Sequence, residues 1–531
     1  MTATLLSLPL PAPKKEASSQ DHKHWGQLQG SSAALCISQA LSQYKGPIVL
    51  ITADTPSAMK LEKEIAFFLS DDTKNTPITL FPDWETLPYD SFSPHQDIVS
   101  QRLETLFRFT QQVDGIFIVP VNTLMQRLAP TDYLAKYLLM LNKGQTLDRD
   151  QFRRNLEQAG YLHVSQVMSH SEFSVRGSII DLFPMGSDQP FRIDLFDDEI
   201  DSIRYFDTET QRSGEAVDEI RLLPAREFPT DKDAITLFRQ QFLKKFDANN
   251  ASESVFSQVS KGTMPSGVEY YLPLFFEKTA TLFDYLHPKS LLLLHGDVQD
   301  ASEFFWADVQ ERYEQYRYNL ARPLLAPDEL FLPINELFGA IKQWPRASLS
   351  SQVLEEKSGT TNLQCAKLDD IAINSQKKVP AEQLIKTVNH ATDNGAKVLF
   401  CAETQGRREG LLTVLAKAGI KPKIVDSFSD FIASHDSIGI TVGMVDNSFR
   451  WQTSEGELLF ITETELLGQK VSQRRLRDKR SATDESAIIR NLAELSIGQP
   501  VVHLDHGVGH YLGVQTLDAG GVTTEYLCIE Y

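Results

Sequence analysis

Pro47–Leu69, PIVLITADTPSAMKLEKEIAFFL, decides the fold class. Pro47–Thr52 is a continuous apolar run of strand length, and a helix is expected over Pro56–Leu69. A short strand without polar alternation is buried on both faces, as in a parallel sheet whose crossover helices cover it. The same pattern extends both ways. A helix is expected over Ala33–Tyr44 and a strand at Ile78–Phe81. The polar and aromatic loop Asp83–His95 follows, then a helix from about Asp97 to Val113 and a strand at Gly115–Val119. The class is therefore α/β, with a parallel sheet covered on both faces.

Such a sheet can carry a nucleotide, but the phosphate cradle is missing. A phosphate-binding loop needs a glycine-rich turn of free N–H groups, a lysine for the phosphates and a Ser/Thr for magnesium. Its place would be the connection entering the Ala33 helix, LQGSSAALC (Leu28–Cys36). Gly30, Ser31 and Ser32 there suit a helix cap, but no lysine and no second glycine accompany them. No GK[ST] occurs in the 531 residues, and a helix terminus alone contributes only about 0.3–1 kcal/mol to anion binding at an exposed site. The lobe reads as a nucleotide-binding architecture without a nucleotide site.

A chain of 531 residues has room for three or four domains, and 41% hydrophobic with 23% charged residues is an ordinary globular composition. The formal net charge of −19 excludes nucleic-acid binding through the overall field. Cys36, Cys365, Cys401 and Cys528 are far apart, which indicates neither a zinc site nor a disulfide framework and fits a cytoplasmic protein. The N-terminus does not read as a signal peptide, and no run approaches bilayer-spanning length, so no membrane partner is expected.

Between residues 138 and 225 the pattern changes to a small α+β insert. A helix is expected over Asp150–Ala159, with strand-like runs at Ser171–Phe183, Pro190–Phe196, Ser202–Phe206 and Glu219–Leu223. Its centre is Arg176–Asp201, RGSIIDLFPMGSDQPFRIDLFDDEID. In Pro190–Phe196 the residues Phe191, Ile193 and Leu195 point to the core, and Arg192, Asp194 and Phe196 point outward. An exposed arginine beside an exposed phenylalanine is the composition of a protein-binding hot spot. A second layer over Phe196 with a merely solvated Arg192 is the alternative.

Helices return from 226 to 345, at Thr230–Phe246 and Asp300–Tyr316. The apolar strand Ser290–Leu294 between them is a candidate to rejoin the first sheet. Residues 346–378 read as a linker. Residues 379–468 form a second α/β domain, with strands at Lys397–Cys401, Ile438–Val442 and Glu457–Ile461, a helix at Arg407–Ala418, and no site motif. The basic run Lys470–Arg480 is either a contact for nucleic acid or an acidic partner, or a solvated helical linker. From Gln499 the pattern is β, and the alternation continues to Tyr531, as expected of the N-terminal part of a longer protein. His503, His506 and His510 with Asp505 lack the convergent spacing of a metal site, and the acidic run Asp197–Asp201 lacks the pattern of a calcium loop. No catalytic, metal or nucleotide-binding residues are assigned.

Five stretches in order carry a resemblance. They are DWETLPYDSFSPHQDIVSQRLETL (Asp83–Leu106), IVPVNTLMQR (Ile118–Arg127), SVRGSIIDLFPMG with FRIDLFDDEID (Ser174–Asp201), SKGTMPSGVEYYLPLFF (Ser260–Phe276) and IGQPVVHLDHGVGHYLG (Ile497–Gly513). Together they resemble the bacterial transcription-repair coupling factors, the Mfd family. The first three hundred or so residues are also similar to the excision-repair protein UvrB.

The resemblance implies a degenerate helicase-like sheet that has lost ATP binding. It implies an insert that recruits UvrA, with Arg176, Arg192 and Phe196 matching the family's contact residues. It implies a truncated Tudor-like module that docks on the RNA polymerase β subunit around Leu517. A motor beyond residue 531 would use ATP and Mg2+ to move on double-stranded DNA, and no cofactor is expected in the present chain. The implied organisation is 1–137 UvrB-like lobe, 138–225 UvrA-binding insert, 226–345 return to the lobe, 346–378 linker, 379–468 second α/β domain, 469–496 basic linker and 497–531 polymerase-interacting module. The implied role is that of an adaptor in transcription-coupled repair. A UvrB-like ATP-dependent DNA helicase and a non-enzymatic polymerase-binding regulator are the alternatives.

Overall fold

A computed structural model describes residues 8–12, 21–70, 72–111, 114–246, 254–368, 371–373, 381–453, 456–467, 500–503, 507–519 and 522–530. The chain forms two compact units, 1–468 and 469–531.

The first unit is built on a seven-stranded sheet. Its spatial order is Thr360–Asn362, His22–Gly26, Arg346–Leu349, Leu291–His295, Ile48–Thr52, Ile116–Pro120 and Ile78–Leu80. Every neighbouring pair is parallel. Ile48, Val49, Leu50 and Ile51 are completely buried, as their unbroken apolar run requires. Leu291–His295 lies directly beside Ile48–Thr52, so the chain returns to the same sheet after the insert. Helix Gln96–Thr110 covers one face and carries Arg102 into the interior. The Arg102 guanidinium is bidentate to Glu227, and its third branch donates to the Pro82 carbonyl. This buried pair ties the helix to the end of the insert.

Residues 346–378, expected as a linker, instead supply sheet strands. Arg346–Leu349 and Thr360–Asn362 flank His22–Gly26 in the first sheet, and Cys365–Ala366 pairs with Phe449–Thr453 in another. These strands have four, three and two residues, too short to show a hydrophobic period.

The insert is a six-stranded sheet in the order Ser213–Val217, Glu199–Phe206, Phe191–Phe196, Ile179–Leu182, Glu172–Arg176 and Leu162–His163. Its pairs are antiparallel except the last. Entry and exit strands, Leu139–Asn142 and Glu219–Leu222, pair with each other. The run Ser171–Phe183, expected as one strand, is a hairpin of Glu172–Arg176 and Ile179–Leu182. Gly177 makes the turn with φ of 63°, in the left-handed region that glycine enters without a Cβ penalty.

The second α/β domain has a six-stranded sheet ordered Cys365–Ala366, Phe449–Thr453, Gly456–Thr462, Lys397–Ala402, Ile438–Val442 and Lys423–Ile424. It shares a core with the first lobe. Phe68 of helix Thr55–Phe68 meets Phe428 and Phe460 edge-on, with ring centroids 5.1 and 5.4 Å away. A Cβ at Gly443 would lie 2.1 Å from the Phe67 ring, so only glycine permits this approach.

In the second unit, Pro500–His503, Gly507–Ala519 and Val522–Glu530 form an antiparallel meander. The basic run Lys470–Arg480 and the pair Asp505 and His506 lie outside the described residues. Among the described residues, no helix is long and apolar enough to cross a membrane, and no group of His, Cys, Asp or Glu is arranged to hold a metal ion.

Candidate functional site

The outer face of the insert gathers the residues singled out in the sequence. Phe191, Ile193 and Leu195 are buried, so their neighbours Arg192, Asp194 and Phe196 face away from the core. Antiparallel register sets the rest of the face, because directly opposed residues share a side of the sheet. Asp181 stands opposite Arg192, Ile179 opposite Asp194, and Arg176 opposite Ile179. Arg176, Arg192 and Phe196 therefore occupy one face. The Gly177 turn accomplishes this for Arg176: a single strand through that position would have given it the parity of the buried Ile180 and Leu182.

Asp181 organises the two arginines. Its side chain is 1% exposed, and both carboxylate oxygens accept hydrogen bonds. Arg192 donates from Nε to Oδ1 at 2.7 Å and from Nη2 to Oδ2 at 3.0 Å, the fork geometry in which guanidinium and carboxylate match best. Arg176 donates from Nη2 to Oδ2 at 2.6 Å. Arg192 also donates from Nη1 to the Gln211 carbonyl at 3.0 Å, and its guanidinium carbon lies 5.1 Å from the centre of the Phe206 ring. The hydrogen bond to Asp181 raises the Arg192 pKa above its ordinary value. The two arginines differ in access: the Arg192 side chain is 15% exposed, that of Arg176 52%.

Phe196 is 75% exposed, at the end of a hairpin whose next residue, Asp197, has φ of 53°. Neither branch of the sequence reading describes the pair fully. Among the described residues no second layer covers Phe196, and Arg192 is pinned rather than solvated. Asp181 was not singled out in the sequence. Its signal is a lone carboxylate in the apolar run IIDL, which meets Arg192 only when the two strands are paired in register.

The place of a phosphate cradle is closed. Ser31 precedes helix Ser32–Gln43 but makes no side-chain cap. Its hydroxyl donates to Glu64 Oε1 at 2.6 Å and accepts from the Asn447 N–H at 3.2 Å. The Asp446 N–H donates to the same Glu64 oxygen at 3.2 Å. A Cβ at Gly30 would lie 2.3 Å from the Ser448 carbonyl oxygen. Residues 446–448 of the second α/β domain thus fill the turn where phosphate would sit. Burial raises the pKa of Glu64 above its ordinary value.

Leu517 lies in strand Gly507–Ala519 with Thr524 as its cross-strand partner. Its side chain lies outside the described residues.

An exposed aromatic on the same face as carboxylate-clamped arginines has the composition of a protein-docking surface. The comparisons agree with this class. A family model described as "UvrB interaction domain" matches residues 139–228, "MFD, D3 domain" matches 391–466, and "CarD-like/TRCF RID domain" matches 495–531. Transcription-repair-coupling factors from Escherichia coli and Haemophilus influenzae are 45% and 44% identical over 95% and 96% of this chain. The factor from Bacillus subtilis is 27% identical over 95%. The chain is similar to transcription-repair-coupling factors over nearly its whole length, and it spans about 43% of the length of these curated relatives. Among solved structures, a GtfA/B complex aligns at 10% identity over 69% of this chain and 75% of its own, with a TM-score of 0.10, too low to bear on the fold.

Proposed function

We propose that this chain is an adaptor in transcription-coupled DNA repair, presenting a docking surface for UvrA on its insert and one for RNA polymerase in residues 497–531. Arg176, Arg192 and Phe196 form the UvrA surface. Residues around Leu517 form the contact to the polymerase β subunit. In the whole protein, an ATP- and Mg2+-dependent motor on double-stranded DNA supplies the force that displaces a stalled polymerase. The protein works in the cytoplasm.

The single observation that carries this reading is the exposed Phe196 beside the Asp181-held arginines, inside the stretch matched by the UvrB interaction domain. An aromatic anchor desolvated on binding dominates interface energetics, and Arg192 holds Asp181 in place on the same face, so Arg192→Ala and Phe196→Ala should each weaken UvrA binding by about 1–3 kcal/mol. Titration of purified UvrA against the chain and each variant tests this. Unchanged affinity in both variants would remove the proposal. A helicase reading requires nucleotide at the turn that residues 446–448 fill. Calorimetry with ATP should therefore detect no saturable binding to this chain, and micromolar binding would restore the helicase alternative.

A further inference from the structure

We propose that Asp181 is a positioning residue for the docking face, and that Arg176, rather than Arg192, is the arginine that reaches the partner. The inference rests on the reading of this face as the UvrA surface. Arg192 uses its forked edge on Asp181 and its remaining terminal nitrogen on the Gln211 carbonyl and the Ser213 hydroxyl. Little of its donor capacity faces outward. Arg176 commits only Nη2, and only to Asp181. With half its side chain exposed, its other N–H groups stand open to solvent.

Both guanidiniums converge on one carboxylate carried on the strand between theirs. A long, flexible side chain is thereby held in one orientation before any partner arrives, which removes part of the ordering entropy of binding. The chemistry that suits the free edge of Arg176 is a carboxylate on the partner, planar and bidentate, next to an apolar recess for Phe196. An asparagine at 181 would keep the volume of the side chain but replace one acceptor oxygen with an N–H donor. It would turn a donor toward the arginines and release Arg176.

The test is a double-mutant cycle in UvrA affinity with Asp181→Asn, Arg176→Ala and the double variant, in the full chain. Asp181→Asn should weaken binding about tenfold or more, and Arg176→Ala about as much. The double variant should be no weaker than Asp181→Asn within about twofold, because the second change removes a side chain already released. Arg176→Ala should leave the unfolding midpoint unchanged, since a half-exposed side chain carries little of the fold. If Asp181→Asn does not fold, the uncharged pair Asp181→Leu with Arg192→Met keeps the strands packed without a buried charge, and should bind about tenfold more weakly than Arg192→Met alone, which keeps Asp181 as the anchor of Arg176.

Additive losses in the cycle, or Asp181→Asn binding within twofold of the parent while Phe196→Ala is weakened, would overturn the inference and leave the docking surface standing. If the folded uncharged pair stands in for Asp181→Asn, binding within twofold of Arg192→Met overturns it in the same way. If Phe196→Ala and Arg176→Ala both bind like the parent, the docking surface itself is wrong.

Discussion

Glu64 and Asp181 are both buried carboxylates at the edge of a protein layer, and they are put to opposite uses. Glu64 is 2% exposed and takes the Ser31 hydroxyl and the Asp446 N–H on a single oxygen. Its donors come from two domains of the same chain, so the site closes on itself. Asp181 is as deeply buried, but one of its donors, Arg176, has its far side facing outward. The device is the same in both places, a desolvated carboxyl group that must be satisfied by nearby donors. What differs is the length of the donor. A serine hydroxyl and a backbone N–H end at the carboxylate, whereas a guanidinium bridges from it to solvent.

Four experiments would break or sharpen this contrast. The largest effect is expected from Glu64→Ala, which leaves two buried donors without an acceptor. Chemical denaturation should show a loss of about 2–4 kcal/mol. A loss indistinguishable from zero would mean that the second α/β domain is not held through this carboxylate. Ser31→Ala removes one hydroxyl from the same cluster and should cost about 1–2 kcal/mol by the same measurement. Phe196→Ala lies on the open side of the contrast and should change unfolding by less than about 0.5 kcal/mol. A large destabilisation there would show that Phe196 supports the fold.

The smallest effect is one of pH. Burial raises the pKa of Glu64 in the folded protein above its ordinary value of 4.5. The folded state therefore holds this proton more firmly than the unfolded chain does. The resulting stability is present below the ordinary value and is lost as pH rises through the folded pKa. Glu64→Gln keeps an oxygen for both donors and does not titrate. Its stability relative to the parent should rise between pH 4 and pH 7. A constant difference over that range would show that folding does not raise the Glu64 pKa.

Much of the molecule was legible where a side-chain period spans enough residues. Ile48–Thr52 announced a strand buried on both faces, and the alternation of Phe191–Phe196 separated a core face from an outer one. Short strands escaped, as residues 346–366 show, because two to four residues carry no period. Arg176 could not be oriented either: its parity matched the buried Ile180 and Leu182 until the Gly177 turn reversed the chain.

The sequence alone determined the α/β class, the break in pattern at the insert and the outer-face parity of Arg192 and Phe196. These follow from local periodicity, which each segment carries within itself. Tertiary structure decided that Asp181 clamps two arginines and that residues 446–448 fill the turn beside Ser31. Both depend on register and docking, which bring together residues far apart in the chain, and a buried charge takes its partners from whatever the fold places beside it.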